Sequence, residues 1–318
     1  MKIGWIGFHM EGLPALQAVL ERGIPVQAVI TLAPEQRAKR SAAVDYGEVT
    51  RRFGVPLYQV ADINSPEALA LLRELALDVV FVLGWSQIIR PPALTSCRLG
   101  MIGAHASVLP HNRGSAPVNW ALIRGEKQTG NTLMWLANGV DTGDIIDQVS
   151  FTITPYDSCA TLYEKVARSN SDMVLRLIPR LLSGERPGHK QALNGEAISP
   201  RRRPEHGGVD WSQDNQAVYD FIRALTQPYP GAFSWLEGAR WWLWNAALCP
   251  GEAPVGARAG EVLGPVVSPV AAACGQAVAC GRGLITLLEL QGEDGRCLKG
   301  QELSEQAWRG KVWHDEHG

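Results

Sequence analysis

The sequence predicts an α/β chain: a doubly wound, mostly parallel sheet followed by a smaller C-terminal domain that is β-barrel-like (OB-like). Three observations carry this. Short apolar runs alternate with amphipathic segments over roughly the first half of the chain, the βα repeat of a parallel sheet. Two runs, DVVFVLG (78–84) and LGMIGAH (99–105), are continuously apolar, as strands covered on both faces are. After about residue 208 one helical segment is followed only by short apolar runs broken by Gly and Pro, the texture of a small barrel.

In order, KIGWIG (2–7) reads as the first strand, and LPALQAVLERG follows with helical spacing to Gly23. PVQAVIT (25–31) is a second strand, VDYGEVTRRFG (44–54) a helix closed by Gly54, and VPLYQV a third strand. SPEALALLRELA (65–76) places Ser65 at the N-cap and Pro66 at the first helical position. The two apolar strands come next, then VNWALIRG (118–125) as a helix, NTLMWL (131–136) as a strand and residues 158–184 as one long amphipathic helix. The stretch 186–208 is polar and rich in Pro, Gly and Arg, and marks a linker between an N-terminal domain (1–185) and a β-rich domain (209–318).

Composition narrows the function. The chain has 318 residues, 46% of them hydrophobic, with a formal net charge of −2. A packed core is expected, and polyanion binding as the main task is not. Six scattered cysteines with no CxxC suggest neither a zinc site nor a disulfide framework. MKIGWIGFHMEGLP lacks the layout of a signal peptide, and the uncharged stretch 262–281 is broken by Pro and Gly, so a cytoplasmic protein without a membrane segment is expected.

Ligands of doubly wound sheets bind beyond the carboxyl ends of the strands. Three polar loops lie there: GWSQIIRP, HASVLPHNRG and ANGVDTGD. His105 and Asp141 each leave an apolar strand, and on neighbouring strands their side chains can meet. A carboxylate fixes the tautomer of an imidazole, and such a pair can take a proton from an attacking amine or stabilise an oxyanion. From spacing alone, a structural histidine and a turn aspartate explain the two residues as well. GWIGFHMEG lacks the GxGxxG spacing of a dinucleotide loop.

Residues 105–146, HASVLPHNRGSAPVNWALIRGEKQTGNTLMWLANGVDTGDII, resemble the signature of the 10-formyltetrahydrofolate-dependent formyltransferases. The match joins a His-x-Ser-x-Leu-Pro turn, Arg113-Gly114, Pro117, Thr129-Gly130 with Thr132, and Asp141-x-Gly-Asp. Residues 200–235 resemble the entry to the second domain of the tRNA- and sugar-modifying members. The resemblance implies the formyltransferase fold and transfer of a formyl group from N10-formyltetrahydrofolate, as cosubstrate and without a metal, to an amine. It implies His105 as the group stabilising the oxyanion and Asp141 as its partner or the proton acceptor. It also implies a donor loop at Leu83, Gly84, Trp85, Ser86, Gln87 and Ile88, closed on its other side by Asn138, Gly139, Val140 and Asp141. Ser107, Arg113, Gly114 and Asn119 are the acceptor-side candidates. Family members carry a catalytic Asn two residues before the His, where this chain has Gly103. Loss of one oxyanion donor costs roughly 10²–10³ in rate. Asn131 is the leading replacement, a glycine that admits water or backbone is a second account, and a non-catalytic folate or nucleotide binder a third.

The acceptor expected is a small amine, most closely a nucleotide-linked amino sugar. Residues 201–318 hold 11 Lys and Arg against 14 Asp and Glu, a net charge of −3 that suits tRNA poorly. Arg201, Arg202 and Arg203 can pair with a pyrophosphate or form a solvated run, and Arg201 and Arg203 are the binding candidates. Hydroxyornithine and methionyl-tRNA are the alternative acceptors, a homodimer is expected, and a nicotinamide-dependent oxidoreductase is the competing enzyme class.

Overall fold

The computed structural model describes residues 1–192, 195 and 197–314. It divides into two compact units, one of residues 1–118, 128–153 and 161–200, the other of residues 119–127, 154–160 and 201–318.

The elements of the first unit, in chain order, are β1 (Ile3–Ile6), α1 (Leu13–Glu21), β2 (Val26–Leu32), α2 (Pro34–Arg37), α3 (Gly47–Phe53), β3 (Leu57–Val60), α4 (Pro66–Leu75), β4 (Val79–Val82), α5 (Pro91–Leu94) and β5 (Gly100–His105). After α6 (Pro117–Ile123) come β6 (Gln128–Trp135), β7 (Ile145–Thr152) and α7 (Cys159–Leu182). Seven strands form one sheet in the order β3-β2-β1-β4-β5-β6-β7. The first five are parallel, and β6 and β7 run antiparallel to their neighbours. Ser65 caps α4 by accepting the Ala68 N–H at 3.2 Å, as its sequence predicts.

Register sorts the side chains onto two faces. Val82 lies opposite Gly103, Gly103 opposite Met134 and His105 opposite Thr132. Side chains alternate along a strand, so these residues share one face. That face buries Ile6, Val80, Val82 and Met101 with Leu72 of α4 and Ala93 of α5. The other face buries Trp5, Phe81, Ile102 and Leu133 with Leu16 of α1 and Met173 and Leu177 of α7. All four residues of β4 are buried because helices cover both sides.

Two features depart from the sequence reading. The strand β7 was not expected: it is an edge strand, IIDQVSFT, whose side chains are mostly half-buried, so it has no strong apolar run. The start of the stretch read as a linker packs on the first unit. Its His189 forms a two-way backbone bridge with Ile145, and Ser199 bridges Gly114. Leu193, Asn194 and Glu196 of that stretch lie outside the described residues, as do residues 315–318.

In the second unit α8 (Asn215–Leu225) precedes β8 (Ala232–Leu236), β9 (Ala239–Cys249), β10 (Val262–Val266), β11 (Gly275–Ala279), β12 (Leu284–Gly292), β13 (Cys297–Lys299) and α9 (Gly300–Ser304). The antiparallel sheet has the order β10-β11-β12-β9-β8, with β13 on β12. Residues 310–314 join its two ends. Val262 donates to the Lys311 carbonyl at 2.8 Å, and Trp235 and His314 exchange backbone bonds at 3.0 Å. The sheet therefore curls into the barrel-like form that the Gly- and Pro-broken runs predict. Asp214 caps α8 through the Ala217 N–H at 2.8 Å.

Candidate active site

The carboxyl end of β5 delivers His105 onto the face it shares with Gly103. The chain then turns tightly: Ser107 N–H bonds the His105 carbonyl at 2.8 Å, and the Ser107 hydroxyl donates to the His111 carbonyl at 2.6 Å. Thr132, paired with His105 across the sheet, donates to the Ser107 carbonyl at 2.7 Å and accepts the Leu109 N–H at 3.1 Å. Gln148 of β7 bonds both the Leu109 carbonyl and the Thr132 hydroxyl, at 2.8 and 2.9 Å. The turn ends with Asn112 at φ 56°, a left-handed conformation that Asn tolerates better than most residues. The Asn112 carbonyl then lies 2.8 Å from His105 Nε2. A carbonyl only accepts, so Nε2 carries a proton; this tautomer is assigned from the acceptor it faces.

Asp141 arrives by a longer route than the sequence implied. Because β6 runs antiparallel, it ends beside the start of β5, where Leu136 N–H bonds the Met101 carbonyl at 2.8 Å. The loop after it folds back and brings Asp141 Oδ2 to 3.5 Å from His105 Nδ1. The same oxygen accepts the Gly114 N–H at 2.9 Å. Asp141 itself sits at φ 53°, a strained position of the kind that collects at functional sites. Gln191 holds the loop by donating to the carbonyls of Asp141 and Gly143 at 2.9 and 2.7 Å. Gly143 is obligatory, since a Cβ there would stand 1.6 Å from the Trp135 carbonyl oxygen. The His105 side chain is 8% exposed and that of Asp141 20%, so the pair is shielded yet reachable.

The other candidates fall into groups. Leu83 is fully buried and Gly84 takes φ 68° at the end of β4. Trp85 packs edge-on against Phe8 at 5.7 Å, with its indole N–H buried and without an acceptor among the described residues. Ser86 is exposed, and Gln87 is a brace, accepting from Ile63 N–H at 3.0 Å and donating to the Ala61 carbonyl at 2.7 Å. Ile88 is 73% exposed and Val140 39%. Asn138 and Gly139 are exposed too, and the main-chain N–H groups of Asn138, Val140 and Asp141 have no partner among the described residues. Two exposed apolar side chains with unpaired backbone donors and a buried indole N–H fit a flat heteroaromatic ring rich in hydrogen-bonding edges, such as a pterin.

Three expectations need correction. Asn131 does not replace the missing Asn: it lies one residue before Thr132, so it faces the opposite side of the sheet from His105. It is fully buried there and donates to Asn170 Oδ1 and Ser169 Oγ of α7 at 2.6 and 3.0 Å. Ser107 is 1% exposed and shapes the turn rather than presenting its hydroxyl to a ligand. Asn119 is fully buried in the second unit, where its amide donates to the Ala224 carbonyl at 2.5 Å. Arg113 is 8% exposed and Gly114 contributes its N–H to Asp141, while Arg201 and Arg203 are exposed on the second unit. Arg202 lies over the rings of Trp120 and Phe221, and this partial burial lowers its pKa.

Gly103 has a structural reason. A Cβ added to it would stand 2.5 Å from Leu136 Cδ2, so an apolar side chain covers the space an Asn would enter. Gly103→Asn is expected to cost about 1–3 kcal/mol by overpacking, and less in a Leu136→Ala background, as paired urea-unfolding curves would show.

The chain matches the family model described as "Formyl transferase" over residues 11–178, and that described as "Formyl transferase, C-terminal domain" over 202–307. Among solved structures it is similar to HypX from Aquifex aeolicus in complex with tetrahydrofolic acid (20% identity, TM-score 0.63, 94% of this chain and 45% of that one). The chain thus spans just under half the length of the HypX chains it matches. It is also similar to the N-formyltransferase from Helicobacter canadensis in complex with folinic acid and dTDP-3-aminofucose (16%, TM-score 0.65, 90% and 99%). A further likeness is to WlaRD, a sugar 3N-formyl transferase in the presence of dTDP and 5-N-formyl-THF (17%, TM-score 0.63, 90% and 97%). At these identities the structures speak for the fold. The family models cover more than half of the chain and both of its parts, and on that ground this protein belongs to the formyl transferase family.

Proposed function

We propose that this protein transfers a formyl group from N10-formyltetrahydrofolate to the amine of a small acceptor, a nucleotide-linked amino sugar. The observation that carries the reading is the His105–Asp141 pair at 3.5 Å, built on the sheet face beyond β5 and next to the loop that follows β4. The folate supplies the formyl group. The chain's own residues then have two tasks. His105, held from Nε2 by the Asn112 carbonyl and facing Asp141 at Nδ1, presents a fixed, polarised ring to the negative charge that develops on the formyl oxygen. Asp141 uses Oδ2 for Gly114 and His105, and no described residue engages its Oδ1. That oxygen is the proton acceptor for the attacking amine. The exposed Ile88 and Val140 offer the pteridine ring apolar contact, and the backbone of 138–141 offers it hydrogen bonds.

The amino-sugar acceptor draws support from the dTDP-3-aminofucose named with one similar structure, from the dTDP named with a sugar 3N-formyl transferase, and from the acidic second domain. An amine panel tests it, with tetrahydrofolate release as the signal. UDP- and dTDP-amino sugars are expected to support turnover. Turnover only with hydroxyornithine or methionyl-tRNA would move the acceptor to that class, and folate binding without turnover by any amine would make the protein a binder.

A further inference from the structure

The chain leaves β1 through Gly7-Phe8-His9-Met10-Glu11-Gly12 before α1 begins. The strand order reverses between β1 and β4, and ligands of doubly wound sheets enter the crevice at that point. Glycines press this turn against β4. A Cβ on Gly7 or Gly12 would stand 2.5 or 2.3 Å from the Leu83 carbonyl oxygen, and one on Gly84 would stand 2.7 Å from His9 Cβ.

The turn carries two titratable side chains that the formyl-transfer chemistry leaves unused. His9 Nδ1 accepts the Glu11 N–H at 3.4 Å, and Glu11 Oε2 lies 3.9 Å from the same nitrogen. The Tyr46 hydroxyl donates to the His9 carbonyl and the Asn170 amide to the Glu11 carbonyl, each at 3.1 Å. The Tyr163 ring meets the His9 ring edge-on at 5.2 Å. His9, Tyr46 and Tyr163 are thus the titratable groups packed around Glu11. No hydrogen-bond donor among the described residues engages the Glu11 carboxyl, yet that side chain is 17% exposed. It is a partly exposed acceptor in the turn between β1 and α1, unanswered by the protein.

We infer that Glu11 is a specificity-determining residue, whose carboxylate accepts a hydrogen bond from a hydroxyl or ammonium group of the acceptor and turns phosphate away. This rests on the formyl-transfer reading. Burial pushes the Glu11 carboxyl up to about 7 and the His9 ring down to about 4, as expected where no fixed cation offsets desolvation. A charge-assisted bond from a ligand relieves that penalty. Phosphates often sit where β1 passes into the first helix of such folds. Here a carboxylate stands in that turn and opposes them. Because β1 and β5 are two strand spacings apart, about 10 Å, the donor is a second group of the acceptor and not the reacting amine.

Glu11→Gln tests this in the full chain. With the amine that turns over, the variant is expected to raise the acceptor KM roughly 10–100-fold, the worth of a hydrogen bond to a charged group, with a smaller change in kcat and in the donor KM. In the unaltered protein acceptor kcat/KM rises as pH climbs through about 7, where Glu11 ionises, and the variant loses that rise. A loss greater with an ammonium-bearing acceptor than with a hydroxyl-bearing one assigns the donor. An unchanged acceptor KM with an unchanged pH profile overturns the inference. A second measurement needs no turnover: ¹³C NMR of carboxyl-labelled protein, with the Glu11 resonance assigned by its absence from Glu11→Gln or Glu11→Asp. A midpoint near 7 that moves when panel amines are added supports the inference. An ordinary carboxylate midpoint that no amine moves overturns it, while absent turnover beside a responsive Glu11 signal counts against the formyl-transfer reading alone.

Discussion

Replacing His105 with Ala is expected to lower the rate of tetrahydrofolate release at saturating acceptor by roughly 10²–10³-fold, the usual cost of removing a group that stabilises developing negative charge. The ring is held at Nε2 by the Asn112 carbonyl at 2.8 Å and faces the Asp141 carboxyl across 3.5 Å at Nδ1, so it stands at a fixed place before substrate arrives. Preorganisation of this kind costs no rearrangement during the reaction, which is why its loss falls on kcat. Asp141→Asn is expected to cost a similar factor. Its amide oxygen can still accept the Gly114 N–H, but it does not take a proton from the amine. Residues acting as one unit do not add, so the double variant should be little slower than either single one. Rates from stopped assays on the three variants check this, and losses that multiplied would show two independent roles.

Asp220→Ala is expected to destabilise the second unit by about 3–5 kcal/mol, the range for leaving one partner of a buried ion pair uncompensated. Asp220 is 2% exposed and Arg223 8%. Asp220 Oδ1 receives Arg223 Nη2 at 2.6 Å and Nε at 2.7 Å, and Gln216 donates to Oδ2 at 3.0 Å. Arg223 Nη1 also donates to the carbonyls of Thr154 and Asp157 at 2.8 and 2.6 Å. Those neutral acceptors keep the guanidinium hydrogen-bonded after the substitution but cannot neutralise it. Asp220→Asn should cost less, since it preserves an oxygen for Nε. Adding Arg223→Met to Asp220→Ala should recover part of the loss, because the stranded charge goes with it. Urea unfolding of the full chain, followed through the tryptophans at 211, 241, 308 and 313 in the second unit, reports the change.

The parallel half of the sheet was legible because its strands are buried on both faces and therefore continuously apolar, as in DVVFVLG. The β7 edge was not, since a half-buried strand that carries Asp147, Gln148 and Ser150 shows no such run. The pairing of His105 with Asp141 was anticipated, but by the wrong path. The direction of β6 is a property of the sheet, and only the loop that folds back from Leu136 places the carboxylate. Asn131 failed as the substitute donor for a reason one residue wide: pleating sends Thr132 to the His105 face and Asn131 to α7. Asn112 acts through its carbonyl, which every residue has, so its identity gave no signal. Gln148 and Gln191 come from edge and loop segments far along the chain, and nothing near them in sequence marks their targets. Gly103 was visible as a departure from the family pattern, whereas its cause, the overlying Leu136, emerges only from packing.

His105 and Asp141 are expected to carry formyl transfer without an Asn at position 103. The most direct test follows one incubation of the unaltered protein with N10-formyltetrahydrofolate and the preferred amine, measuring tetrahydrofolate and formylated amine together. Equal amounts of the two products, both lost in His105→Ala, are the predicted result. Tetrahydrofolate matched by free formate with no formylated amine, or folate bound and returned unchanged with every amine, would contradict it.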